Sequence, residues 1–220
     1  MGELDEIARE IIACTKCRLH LTRRNAVPGE GNPRAEVMFI GEAPGESEDE
    51  QGRPFVGAAG KVLTENIEKV LGMKRDQVFI TNVVKCRPPN NRDPSDDEIV
   101  ACSPYLDRQI AAIKPKVIVT LGRHSTRYIF GKIGKEFRSI MAVRGSVIEA
   151  DLGYGKVKIV PTLHPAATLY NPGLRKYFDE DFRRVAELLG VREKNKSVTL
   201  MDFLDGSRDK GKEGNRDVVK

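Results

Sequence analysis

The sequence predicts an α/β fold built on a mainly parallel sheet. Short apolar runs rich in β-branched residues recur at 37–40, 78–81 and 116–121, each with the length of a buried strand. Segments with apolar residues at helical spacing separate them. Each run stops at a turn-forming residue: Gly41, Asn82 and Gly122.

The elements follow in order. Leu4, Ile7, Ala8, Ile11 and Ile12 recur at helical spacing, so an N-terminal helix delivers Cys14 and Cys17. The strand at 37–40 runs into Gly41-Glu42-Ala43-Pro44-Gly45, then Glu46-Ser47-Glu48-Asp49, then Gly52-Arg53-Pro54-Phe55-Val56-Gly57. Glycine lets backbone approach a ligand and proline fixes direction. This stretch therefore reads as a loop that encloses a flat small group and presents a carboxylate to it. Val62, Leu63, Ile67, Val70 and Leu71 mark a second helix, stopped at Gly72. The strand at 78–81 ends at Asn82, and Cys86-Arg87-Pro88-Pro89-Asn90-Asn91 reads as a loop. Ser95, with Glu98 three residues on, forms a capping box for a helix that carries Cys102 and runs towards Ile113. The strand at 116–121 ends at Gly122, and a helix through Tyr128 to Phe130 follows. Residues 147–150 and 156–163, separated by Gly153-Tyr154-Gly155, read as a hairpin closed by His164-Pro165. Phe178, Phe182, Val185, Ala186, Leu188 and Leu189 form a last amphipathic helix ending at Gly190.

At 220 residues and 40% hydrophobic content, one domain with a real core is expected over 1–191. Residues 192–220 turn polar and lysine-rich, with an apolar island at 198–204, and read as a disordered tail. The net charge of +5 gives a mildly basic surface, compatible with a polyanionic partner without demonstrating one. No apolar stretch reaches membrane-spanning length and the N-terminus lacks a signal peptide's apolar region, so a cytoplasmic protein without membrane contact is expected; a monomer is expected as well.

Four cysteines are few enough to weigh singly. Cys14 and Cys17 form C-x-x-C, whereas Cys86 and Cys102 stand far along the chain with fifteen residues between them. In a reducing compartment a metal or an iron–sulfur cluster explains them better than disulfides. The second pair lacks the short spacing of zinc ribbons and the compact bacterial ferredoxin run is absent, so spacing alone leaves zinc and iron–sulfur level.

In open parallel sheets, ligands bind beyond the carboxyl ends of the strands. Glu42, Asn82 and His164 fall at such ends, and Phe55 lies in the loop after the first strand. Each has an ordinary explanation: a solvated charge, a turn former, a structural histidine, a core aromatic. Around one cleft they become a set. The Asn82 amide both donates and accepts, which suits a pyrimidine edge. Phe55 offers a face for stacking. His164 can donate to an oxygen gaining negative charge, and Glu42 can hold a water or face a developing cation. Such a set suits cleavage of a base from its sugar.

Gly41-Glu42-Ala43-Pro44-Gly45, Arg53-Pro54-Phe55-Val56-Gly57, Thr81-Asn82 with Lys85-Cys86-Arg87-Pro88-Pro89, and His164-Pro165-Ala166 together resemble the family 4 uracil-DNA glycosylases of thermophilic archaea and bacteria. The likeness spans roughly residues 4 to 190. It implies a three-layer α/β/α sandwich around a four-stranded, mainly parallel sheet. It implies a structural [4Fe–4S] cluster held by Cys14, Cys17, Cys86 and Cys102. It also implies a uracil pocket formed by Gly41, Glu42, Ala43, Phe55, Asn82 and His164, with Glu42, Asn82 and His164 catalytic. The implied activity is monofunctional: uracil is flipped from single- or double-stranded DNA and hydrolysed off, leaving an abasic site for base excision repair. The alternatives are a glycosylase for another damaged base, an iron–sulfur electron carrier or redox sensor, and a zinc-stapled nucleic-acid module.

Glu48 and Asp49 stand as second carboxylates, and Glu48 also as the group that rejects the methyl of thymine. Candidate phosphate contacts are Lys85, Arg87, Arg92, Arg144, Arg175 and Lys176. Leu169 reads either as a wedge for the gap left by the flipped base or as core. Residues 197–204, beginning at Ser197 and ending at Leu204, resemble the motif with which repair enzymes dock onto a sliding clamp, with serine where glutamine is usual.

Overall fold

The computed structural model describes residues 2–191. The tail from 192 and the clamp-like segment 197–204 lie outside the described residues.

In chain order the elements are α1 (Glu3–Ile12), β1 (Glu30–Gly31), β2 (Val37–Gly41), α2 (Glu46–Gln51), α3 (Ala58–Lys69), β3 (Phe79–Asn82), α4 (Asp96–Ile113), β4 (Val117–Leu121), α5 (Arg123–Lys132), α6 (Ile140–Val143), β5 (Ile148–Asp151), β6 (Lys156–Thr162), α7 (Pro165–Tyr170) and α8 (Arg175–Leu188). The sheet has six strands in the order β1-β3-β2-β4-β6-β5. Its inner four, β3-β2-β4-β6, are all parallel. The expected four-stranded sheet is therefore the centre of a larger mixed one, with β1 and β5 added antiparallel on the two edges. The two-residue β1 is too short to show a pattern in sequence.

Both faces of the sheet are covered, so the central strands read as continuous apolar runs. On β2, Met38 and Ile40 pack into one core with Ile7 and Ile11 of α1, Leu106 and Ile110 of α4 and Ile129 of α5. Val37 and Phe39 face the other core, with Leu63 and Ile67 of α3 and Phe178, Phe182 and Val185 of α8. The Phe39 and Phe182 rings stack at 5.6 Å. These are the two outer layers of an α/β/α sandwich.

Local chemistry explains the elements that periodicity misses. The acidic stretch after Gly45 is a short helix, α2, rather than open loop. Glu48 makes it: one carboxylate oxygen accepts from Gly45 N–H (3.1 Å), the other from Val56 N–H (2.8 Å) and Gly57 N–H (2.9 Å). At α4 only half of the expected capping box forms. Glu98 accepts from Ser95 N–H at 2.9 Å, but the Ser95 hydroxyl has no partner. Glu98 is also the fully buried anchor for Arg92 and Arg18.

No helix of the described residues is long and apolar enough to cross a membrane.

Candidate active site

The chain passes from β2 to β3 on one side and then returns to place β4 on the other side of β2. The strand order thus reverses between β2 and β4, and ligand crevices form at such points, beyond the carboxyl ends. A cleft of about 310 Å³ opens there. Among its walls are Glu42, Ala43, Phe55, Asn82 and His164, five of the six predicted substrate-binding residues. Gly41, the sixth, lies beneath the wall instead. A Cβ on it would meet Asn82 Oδ1 and the Phe55 ring, with Phe55 Cζ at 2.6 Å.

Asn82 ends β3 directly opposite Gly41 in the parallel register. Its side chain is buried, and Oδ1 has no hydrogen-bond partner. Buried acceptors are normally paired, so this oxygen is available to something that enters the cleft. Phe55 is held at φ 49°, a conformation rare for a bulky residue. Its backbone lies so close to Gly60 that a Cβ there would collide with the Phe55 carbonyl carbon and Cα. The Phe55 and His164 rings are 5.7 Å apart.

His164 caps α7, and its Nδ1 accepts from Ala166 N–H at 3.2 Å. The proton therefore sits on Nε2 in the neutral ring. Burial pushes the imidazole down to about 4, opposed only by the Glu48 carboxylate, so it is neutral at physiological pH. Gly122, at φ 93°, passes close behind it; a Cβ there would stand 3.0 Å from His164 Cβ.

Glu42 follows β2, with its carbonyl fixed by Val84 N–H at 2.9 Å. Burial, and then the negative charge of Asp93, raise its carboxyl to about 7, with Arg123 pulling the other way. Asp93, Arg123 and His124 beside it were not among the sequence-predicted residues. His124 Nε2 lies 3.7 Å from Glu42 Oε2 and 3.4 Å from Asp93 Oδ2. The available sign was Gly122: His124 stands two residues after it, at the same end of the neighbouring parallel strand. Pro88, Asn91 and Arg92 of the cysteine loop also border the cleft.

Several secondary expectations are corrected. Glu48 is consumed by the three backbone N–H groups above, and buried Asp49 accepts from Arg24 and Asn25 N–H, so neither is a free second carboxylate. Lys85 is not a phosphate contact. It is fully buried and donates to Thr81 Oγ1 (2.6 Å), Asn82 O (2.7 Å) and Gln109 Oε1 (2.7 Å). Arg144 is held by Asp181 and the Tyr177 carbonyl, and Arg175 by Asp179, Glu65 and Asn66. Arg87 bonds Asn91 and Glu46, Arg92 bonds Glu98, and Lys176 lies over the Tyr177 ring. Leu169 is exposed, as is Tyr170 beside it, which removes the core reading.

At the far end of the α1–α4 layer, Cys14, Cys17, Cys86 and Cys102 line one narrow cavity, all as free thiols. Arg23 Nη1 donates to Cys86 Sγ at 3.0 Å and the Lys85 N–H to Cys102 Sγ at 3.2 Å. Burial raises the thiols of Cys17 and Cys86, and that of Cys102 to about 11.

The family model of the uracil DNA glycosylase superfamily matches residues 28–187. The chain is 63% identical to the type-4 uracil-DNA glycosylase of Sulfurisphaera tokodaii, over 94% of this chain and 92% of that one. It is 58% identical to that of Saccharolobus solfataricus over the full length of both. It is 46% identical to that of the bacterium Thermotoga maritima, over 85% of this chain and 95% of that one. With the switch-point cleft and its walls in view, these likenesses converge: the chain belongs to the type-4 uracil-DNA glycosylases of the uracil DNA glycosylase superfamily.

Proposed function

We propose that the enzyme excises uracil from DNA in the cleft between Phe55, Asn82 and His164, with Glu42 directing the water. The unpartnered Oδ1 of Asn82 carries this reading. Uracil presents N3–H as a donor beside O4 as an acceptor, so Asn82 Oδ1 accepts from N3–H while its amide nitrogen donates to O4. Cytosine presents the opposite pattern and leaves both groups unmatched. Phe55 supplies the stacking face.

Extruding the nucleotide costs about a few kcal/mol, least where the base is mispaired or single-stranded. As C1′–N1 breaks, its electron pair goes to N1 and spreads onto O2 and O4, while the sugar becomes cationic. His164 Nε2–H donates to O2 as that charge grows, with backbone N–H groups near Ala43. One such preorganised donor is worth roughly 3 kcal/mol. A neutral imidazole suits this work, since its proton is a hydrogen-bond donor and need not be transferred. Glu42 orients water towards C1′ and accepts its proton as the C1′–O bond forms. No lysine reaches the cleft as a nucleophile among the described residues, which supports a monofunctional reaction ending at an abasic site. Leu169, exposed at the end of the helix that His164 caps, is the proposed wedge.

The four cysteines fit an iron–sulfur cluster. They converge on one cavity, and two of the sulfurs receive N–H donors, as thiolate ligands do. Zinc would draw four sulfurs to about 2.3 Å from one centre. Among the described residues the set close enough to share one ion is Glu42, Asp93 and His124, not the cysteines. That favours the larger [4Fe–4S] group, held by Cys14, Cys17, Cys86 and Cys102. When bound it would staple α1 to α4 and to the loop that borders the cleft. A sliding clamp is the proposed partner of residues 197–204.

The reading is tested by incubating the protein with an oligonucleotide carrying one uracil and then cleaving abasic sites with alkali. Strand breaks at uracil and at no other base are expected. An intact strand refutes it.

A further inference from the structure

The Glu42 carboxylate has no hydrogen-bonding partner among the described residues, and a carboxylate that takes a proton from water needs somewhere to send it. Close beside it stands His124, the second residue of α5, whose Nε2 is 3.7 Å from Glu42 Oε2. The same nitrogen is 3.4 Å from Asp93 Oδ2. Glu42 borders the cleft with 28% of its side chain exposed, His124 between the two carboxylates is the most enclosed at 14%, and Asp93 is 56% exposed. Arg123 Nε donates to His124 Nε2 at 2.9 Å, so that nitrogen is the unprotonated one and its lone pair is held by Arg123. Arg123 also pairs with Asp93 and is itself exposed, so it can swing into solvent without unpacking the core.

We propose that His124 positions Glu42 and relays the proton Glu42 takes from water outward to Asp93 and solvent. This rests on Glu42 acting as the base. In sequence, the water oxygen bonds C1′ and loses a proton to Glu42. Glu42 passes it to His124 Nε2 as Arg123 releases that nitrogen, and the imidazolium, faced by two carboxylates, releases it to Asp93 and then to bulk water. Glu42 returns to its ionised state, and no redox partner is required.

The charged groups around Glu42 bear on its titration. Asp93, in the segment before α4, raises its carboxyl and Arg123 of α5 lowers it; burial lowers the His124 imidazole, with Arg123 and Arg127 adding to that and Asp93 opposing. Glu48, Arg92 and His164 complete the charged and titratable lining of the cleft.

The test uses the full chain in single-turnover excision on a single-stranded uracil oligonucleotide across about pH 5 to 9. His124→Ala and His124→Asn should each slow excision at least about tenfold, in the range of a lost proton-transfer group. Added imidazole should restore His124→Ala, and Asp93→Asn should move the acid limb of the rate profile downward by about half a unit or more, as loss of a like charge does. A wild-type rate in His124→Asn, which keeps hydrogen bonding but carries no proton, overturns the relay, as does a folded His124→Ala enzyme that imidazole cannot restore. Glu42→Gln separates the two levels. If it keeps the wild-type rate, the base assignment itself fails; if it is slow while His124→Asn is fast, only the relay fails.

Discussion

Gly41 and Asn82 face each other across neighbouring parallel strands, so closely that a single methyl on Gly41 would press on Asn82 Oδ1 and on the Phe55 ring together. The lack of a side chain at Gly41 thus sets the spacing between the Asn82 amide and the Phe55 ring, the proposed edge reader and stacking face. Gly41→Ala should slow single-turnover excision by at least about tenfold, equivalent to about 1.4 kcal/mol, and cost about 1–3 kcal/mol of stability by overpacking. A rate within twofold of wild type would remove Gly41 from any role in the slot.

In the proposed mechanism Asn82 governs which base is accepted. Asn82→Ala should cost at least about tenfold in excision of uracil, as the loss of more than about 1.4 kcal/mol of directed hydrogen bonding requires. Asn82→Asp replaces a donor with an acceptor, so release of uracil should fall and release of cytosine should become measurable on a cytosine-containing strand. Equal uracil rates in wild type and both variants would overturn edge reading by this side chain.

In the proposed mechanism His164 is a neutral donor, and its pH behaviour follows. Its folded-state value near 4 lies below the ordinary 6.5, so the unfolded chain binds a proton first, and this group's contribution to stability falls as pH drops from 6.5 to about 4. His164→Ala should slow excision at least about tenfold. The ratio of wild-type to variant rate should stay flat above about pH 5.5, because the imidazole does not titrate there. A ratio that changes near pH 6.5 would show that the charged ring is the working form.

Glu42 has the opposite sign. Its carboxyl is raised from 4.5 to about 7, so between those values the unfolded chain ionises while the native protein keeps its proton. Stability therefore falls as pH rises through that window, and above it the full cost of a buried carboxylate is present. Glu42→Gln should be more stable than wild type by about 2 kcal/mol at pH 8 and about equal to it at pH 4.5, read from urea unfolding. The same variant should abolish the ascending limb of the rate profile near pH 7.

The cysteine cradle gives a prediction independent of catalysis. Purified protein should be brown, and Cys86→Ala or Cys102→Ala should lose the visible absorption. Each lost kcal/mol lowers the unfolding midpoint of a domain this size by about 2–4 °C, so a drop of at least about 5 °C is expected. Colourless wild-type protein holding stoichiometric zinc would overturn the cluster assignment.

The inner strands were legible in sequence because burial on both faces leaves an unbroken apolar run, as at 37–40 and 116–121. The residues after them were legible for the same reason, since strand ends locate the crevice. Glu46–Gln51 was not, because a helix with no apolar face has no periodicity; caps and a carboxylate make it. Lys85 read as a surface cation, and nothing local shows that Gln109, twenty-four residues on, closes a polar pocket over it. His124 escaped because its partners, Glu42 and Asp93, come from distant segments that only the sheet order brings together.

The Glu48 carboxylate grips Gly45 at one end of a loop and Val56 and Gly57 at the other, turning the thirteen residues between Gly45 and Gly57 inclusive into a closed ring. The Phe55 ring hangs from that ring beside its clasp. Lengthening it anywhere would undo the clasp and drop the aromatic floor at once. Variants seeking larger bases are therefore best sought by trimming side chains inside the slot, while the loop itself should tolerate almost no insertion.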